Sequence, residues 1–395
     1  MNKLLLILLC LPMVGFGQQT YVPDDNFEQE LINLGYDNVL DDYVATANID
    51  TVSELYLGVF SSLNQLSDLT GLEDFISLEI FWMDLPNITT LDVNNNTSLT
   101  ELIIFSNQLY FLDISDANSL ALLDCSDNQI SSLDLSQNTA LIQFDCSGNQ
   151  ITSLDLSQNT DLIELDCSGN QITSLDLSQN TDLIELDCSG NQITSLDLSQ
   201  NTDLTKLNCS LNALSSLDVS SNTVLTELIC VENNITSLNI SQNTSLTNLH
   251  CNWNSLILID VSGANALTSL YCSYNALTSL DVSQNASLTI LSCSYNHLTH
   301  LDVRNGNNTN FTWFRAENNY YMDPSISSLN CISVDNAAWS ISNWYDIDQQ
   351  TTFSNNCNST TSILDIDSTN NLFKTIDILG RETKQTNQPL FYIYD

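Results

Sequence analysis

Basic side chains are almost absent from this chain. Seven Lys and Arg stand against 48 Asp and Glu, a formal charge of −41 at pH 7. Lys3 lies at the start and Lys374, Arg381 and Lys384 near the end, which leaves Lys206, Arg304 and Arg315 for the whole middle. A phosphate backbone has to be neutralised by Lys or Arg, so nucleic acid is excluded as a partner. An anionic membrane surface is repelled for the same reason. Histidine is equally scarce, with 3 residues, and no Gly-x-Ser-x-Gly turn occurs, so the parts of a serine hydrolase are missing. Long apolar runs are absent too. Leu4 to Val14 is too short to span a bilayer, and no later run approaches about 18 apolar residues, so no membrane insertion of the mature chain is expected.

The opening residues instead read as a secretory signal. Met1-Asn2-Lys3 is a short positive start, the apolar run follows, and Gly15-Phe16-Gly17 supplies a small-x-small cleavage site before Gln18. Cys10 sits inside the apolar run without small residues before it, which argues against a lipid anchor.

What is present in abundance is repetition. Cys125, Cys146, Cys167, Cys188, Cys209, Cys230, Cys251, Cys272 and Cys293 follow one another at steps of 21, and residues 154–174 and 175–195 are identical. A fixed period of this size signals a stacked architecture. Each unit has two short alternating stretches, Leu165-Asp166-Cys167 and Leu175-Asp176-Leu177, separated by Asn-rich turns. Period-two alternation turns Leu165, Cys167, Leu175 and Leu177 inward and Asp166 and Asp176 outward. One such coil cannot bury its own apolar edge, and stacking supplies the core.

The pattern Leu162-x-x-Leu165-x-Cys167-x-x-Asn170-x-Ile172 resembles the leucine-rich-repeat family, from about residue 52 to 320. The resemblance implies a mainly β, right-handed solenoid whose Leu-x-Leu strands line a concave face. It also implies a ladder of hydrogen-bonding Asn side chains, here Asn107, Asn128, Asn149, Asn170, Asn191, Asn212, Asn233, Asn254, Asn275 and Asn296. The short repeat, with a second Leu-Asp-Leu stretch and no helix, is similar to the two-strand repeats of flavobacterial surface proteins. First strands counted from Leu55 to Phe314 make 13 coils, a stack roughly 60 Å long at about 4.8 Å per strand.

The ends depart from the period. The expected organisation is a signal peptide over 1–17, an N-terminal cap over 18–50, the solenoid over 51–320, a C-terminal cap over 321–358 and a tail over 359–395. Asp24-Asp25-Asn26, then Phe27, Leu31, Ile32 and Gly35, predict a capped amphipathic helix over the open end of the first coil. Asp37, Asp41 and Asp42 read as a solvated acidic loop. Cys331 and Cys357, flanking Trp339, Trp344 and Tyr345, predict a disulfide-closed cap. In the tail, residues 376–382 and 389–395 resemble part of the C-terminal sorting region of type IX secretion cargo, although the chain ends before the Gly turn and basic final strand usual in that family. The expected location is therefore outside the cell or on its surface.

Chemistry is sparse. The parallel cysteines do not converge on a point as metal ligands must, and they read as small buried hydrophobes. Outward Asp rows, such as Asp134, Asp155, Asp176 and Asp197, attract cations. They are single-file and do not form the cage of six to eight oxygens that calcium prefers, so no cofactor is expected. His297 and His300, near Asp302, lack a third convergent ligand. No enzyme is expected. The informative variation is in the columns beside the inward Leu and Cys. Asp124, Asp145, Asp166 and Asp187 give way to Asn208, Ile229, His250 and Tyr271. Glu164 and Glu185 give way to Ile290 and Trp313, and Gly148, Gly169 and Gly190 to Trp253, Tyr274 and Tyr295. His250, Trp253, Tyr271, Tyr274, Tyr295 and Trp313 are thus the candidate contact residues. The last column is open to two readings: exposed anchors for a ligand, or rings that stack on one another along the ladder. The composition supports recognition or adhesion through the concave face, with a protein or polysaccharide as partner. The alternative is a structural surface protein whose acidic rows bind calcium or drive self-association.

Overall fold

The computed structural model describes residues 17–58, 65–319 and 329–357, with the backbone of Leu372–Asp377 and Leu390–Tyr394. The expected signal segment lies almost wholly outside the described residues, as do residues 358–371 and 378–389 of the tail. The two tail strands pair antiparallel with each other.

The first alternating stretch of each unit forms a strand, and these strands pair in parallel into one 14-stranded sheet, from Glu54–Leu57 to Asp346–Ile347. The register follows the period: Leu165 lies opposite Leu186 and Asp166 opposite Asp187. Alternation divides the side chains as the pleat requires, with Leu165 and Cys167 buried and Glu164 on the outer side. The solenoid has about 13 turns. The last strand of the sheet, Asp346–Ile347, comes from the segment expected to be only a cap, so that segment extends the stack as well as closing it.

The second stretch behaves differently from the expectation of a strand in every coil. It pairs in Thr90–Asp92 with Phe111–Asp113, in Ser237–Asn239 with Leu258–Asp260, and from Ser279–Asp281 through His300–Asp302 and Cys331–Ser333 to Thr352–Ser354. From 132 to 218 it is extended but unpaired. Leu154 and Leu196 are 9% exposed there, against 2% for Leu280 and Leu301. Continuous pairing holds the first side at the strand spacing, so a curved stack opens on the other side.

Two asparagine ladders hold the turns. In the expected one, the Asn170 amide donates to the carbonyls of Cys146, Cys167 and Ser168 at 2.9, 3.2 and 3.1 Å, and its Oδ1 accepts the Ile151 N–H. The second ladder runs through Asn138, Asn159, Asn180, Asn201, Asn222 and Asn243, all fully buried. Asn180 donates to the carbonyls of Leu156 and Asn159 at 3.2 and 2.8 Å. Sequence reasoning took Asn180 for an ordinary turn residue, though its 21-residue recurrence was visible. Between the ladders the nine cysteines are buried free thiols. Burial pushes those of Cys230 and Cys272 up to about 12.

At the N-terminal end, the helix Asp25–Asn33 is capped by Asp24 and buries Phe27 and Leu31 against the stack. Asp24 also accepts the Ser67 and Asp68 N–H groups, which ties the helix to the array. Beside it, Gln19–Tyr21 pairs antiparallel with Tyr43–Ala45, a pair without a signature in the sequence. At the C-terminal end, the Trp344 ring stacks on Phe314 at 3.9 Å, and Cys331 and Cys357 form a disulfide with Cα atoms 5.7 Å apart. Trp339 meets Trp344 edge-on, while Tyr345 is exposed. Among the described residues, no helix is long and apolar enough to cross a membrane.

Candidate functional site

The outward side chains of the long sheet form the candidate surface. Over its middle coils lies a trough of about 600 Å³, from Ile103 and Leu122 to Glu227 and Ile229. Asp124, Asp145, Asp166 and Asp187 form one row along it, and Glu164 and Glu185 belong to a second. Each aspartate is oriented locally: Oδ1 of Asp145 accepts the Ser147 N–H at 2.8 Å, and Oδ1 of Asp166 accepts the Ser168 N–H at 2.9 Å. Burial raises the Asp145 and Asp166 carboxyls above the usual carboxylate value, outweighing the serine hydrogen bonds that lower them. Lys206 is the one basic residue lining the trough, and it is held by Glu185 at 2.6 Å. The acidic row ends where the Asn208 amide donates to Asp187 at 2.8 Å.

Beyond Glu227 the face turns aromatic. His250 and Tyr271 occupy the continuation of the aspartate row, with ring centroids 4.5 Å apart. Burial lowers the His250 imidazole below its ordinary value, opposed by Glu227. Trp313 is 47% exposed, with the Arg315 guanidinium 4.8 Å from its ring centroid. Arg315 also binds Asp346 at 3.1 Å.

Trp253, Tyr274 and Tyr295 are not on the strands themselves. They lie in the turn row that borders them, at φ of 55°, 58° and 55°. The same row holds Gly148, Gly169 and Gly190 at φ of 66°, 63° and 64°. This row carries no side chain over three coils, and at Gly148 a Cβ would meet Asp127 Oδ1 at 2.4 Å. Farther along, the three rings stack with centroids 3.8 and 4.3 Å apart and planes within 7°. The rings stack on one another along the ladder, as one of the two readings has it, and remain 52%, 36% and 38% exposed. Their mutual stacking occupies the inner faces and leaves the edges to solvent.

Among the described residues, one grouping of carboxylates has metal-like spacing, Asp25, Glu28 and Asp42, with oxygens within 4.8 Å of one another. Glu28 is fully buried and accepts the N–H groups of Asp41, Asp42 and Tyr43. The acidic loop is thus organised by a glutamate that sequence reasoning did not single out. His300 bonds to Thr299, and Asp302 pairs with Arg304.

A family model described as leucine-rich repeats matches residues 139–180 and 160–200. The functional domain of InlJ from Listeria monocytogenes, described as including a cysteine ladder, is 29% identical, with a TM-score of 0.54. The match covers 84% of this chain and 81% of that one. The fold is that of a leucine-rich-repeat solenoid. An internalin from Listeria monocytogenes is 21% identical at a TM-score of 0.66, over 80% of this chain and 96% of that one. A leucine-rich-repeat protein of Leptospira interrogans is 24% identical at 0.58, over 65% and 70%. No curated protein matches. Leucine-rich-repeat proteins generally mediate protein–protein recognition, and the solenoid is typically a non-enzymatic scaffold.

Proposed function

We propose that this leucine-rich-repeat protein is an exported recognition or adhesion module. It holds a protein or polysaccharide against the outer face of the long sheet, including the rim of Trp253, Tyr274 and Tyr295 and the neighbouring His250, Tyr271 and Trp313. The observation that carries the reading is the aromatic rim. Three large rings stand partly exposed on left-handed turns, a conformation that costs L-residues about 1–2 kcal/mol each. Aromatic side chains give large contact area for little entropy, which suits them to anchoring a partner. Stacking closes their inner faces, which favours side-on contact with a protein over a sugar lying flat on a ring. Export is supported by the Lys3 start with its short apolar run, and by the Cys331–Cys357 bond, which suits an oxidising compartment. The tail words support a type IX route of the flavobacterial kind.

The test is binding of the purified full chain to panels of cell-envelope proteins and surface polysaccharides. It is run beside a Trp253→Ala/Tyr274→Ala/Tyr295→Ala variant, with and without calcium. A saturable ligand lost in the variant supports the reading. A ligand held equally by both proteins removes the rim from it. Calcium-dependent self-association with no ligand favours a structural role.

A further inference from the structure

The middle of the same face has a chemistry of its own. We propose that the trough between Asp124 and Glu227 binds an extended Lys- or Arg-rich segment of a protein partner. The inference rests on the recognition reading and names the partner's chemistry. It is carried by charge complementarity on an uncovered sheet face, and by the way this face treats the cations it already has. Lys206 is gripped by Glu185, and Arg315 lies over Trp313 while binding Asp346. Both side chains are held as a ligand's would be, one in the trough and one at the aromatic end.

The spacing fits an extended chain. Three coil-to-coil steps separate the ends of the aspartate row, about 14 Å at one strand spacing per step, and alternate residues of an extended segment advance by about 6.7 Å. Three basic side chains at alternate positions therefore cover Asp124 to Asp187. Carboxylates already partly withdrawn from water gain more from an incoming cation than solvated ones do. Asp145 and Asp166 are in that position, whereas Asp155 and Asp176 on the opposite side are fully solvated.

A chain with so much negative charge attracts any basic peptide weakly, so the test compares two faces at equal charge. The probe is a fluorescent Lys-Ser-Lys-Ser-Lys peptide, with a Glu-Ser-Glu-Ser-Glu control, titrated by anisotropy against the full-length protein. One variant carries Asp145→Asn and Asp166→Asn, and the other Asp155→Asn and Asp176→Asn. Both should fold, because the chain itself places Asn208 and Asn239 in these two rows, each still accepting its serine N–H. The expected result is about tenfold weaker binding for the trough variant and less than about twofold for the other, at roughly 0.15 M salt. Equal losses would mean that only the overall field acts, and would overturn the proposal. So would no binding of the basic peptide by a protein that still binds a panel ligand through its aromatic rim, a result that leaves the recognition reading standing. Loss of both kinds of binding defeats both.

Discussion

Oδ1 of Asn170 accepts the backbone N–H of Ile151, one coil back, at 2.9 Å. The same side chain donates to three carbonyls, so a single residue satisfies backbone groups of two adjacent coils. Asn180, in the other ladder, donates twice, and its Oδ1 meets no partner among the described residues. The second ladder also accepts alanine naturally, at Ala117 and Ala264. Asn170→Ala should therefore cost about 2–4 kcal/mol, from several stranded buried groups, and Asn180→Ala about 1–2 kcal/mol. Urea denaturation followed by circular dichroism checks the order. Equal costs would mean the ladders share the load.

The cysteine row makes a chemical prediction. Its thiols are fully buried and held in the protonated form well above neutral pH. No member of the row should react with maleimide in the native protein, and all nine should react in denaturant. Cys167→Ala should cost only about 1–2 kcal/mol, since Ala316 fills the same slot at the end of the array. Rapid native labelling of any one of the nine would count against the slot being closed.

Tyr274 sits between two rings on a left-handed turn. Removing it loses two stacked pairs, each worth about 0.5–1.5 kcal/mol. Tyr274→Ala should lose this stacking and keep the backbone cost, whereas Tyr274→Gly also relieves about 1 kcal/mol of backbone cost. The glycine variant should then melt above the alanine variant, with the same loss of near-ultraviolet dichroism. The reverse order would show that the turn is not strained.

Acidification should separate the two acidic faces. Burial holds Asp145 and Asp166 above the usual carboxylate value of 3.8, so their ionised forms cost stability at neutral pH. That cost falls away as pH drops through their raised values toward 3.8. Asp155 and Asp176 are lowered by hydrogen bonds from Ser157 and Ser178. Their contribution is present above 3.8 and is lost only as pH falls through their lower folded values. Asp145→Asn/Asp166→Asn should thus be more stable than the parent at pH 7, with the difference shrinking as pH approaches 4. Basic-peptide binding should weaken in the same range, while the outer row stays charged. Thermal melts and titrations between pH 7 and pH 4 decide both points. A variant less stable than the parent at pH 7 would contradict the burial argument.

The period of 21, the inward Leu and Cys and the first Asn ladder were legible in the sequence, because local alternation and exact recurrence dictate a stack whatever else happens. Other features depended on neighbouring coils. The second stretch pairs at 90–113 and from 237 onward and not from 132 to 218, because pairing on that side depends on how closely neighbouring coils approach. Asp346 and Ile347 have no repeat signature and still add a strand, because an open sheet edge offers backbone partners to any extended segment. Trp253, Tyr274 and Tyr295 were visible as a column, but that their rings stack became apparent only when the coils set them about 4 Å apart. The trough follows the same division. Its carboxylates are written in the repeat, and the burial that raises the proton affinity of Asp145 and Asp166 arises only where successive coils bring them side by side.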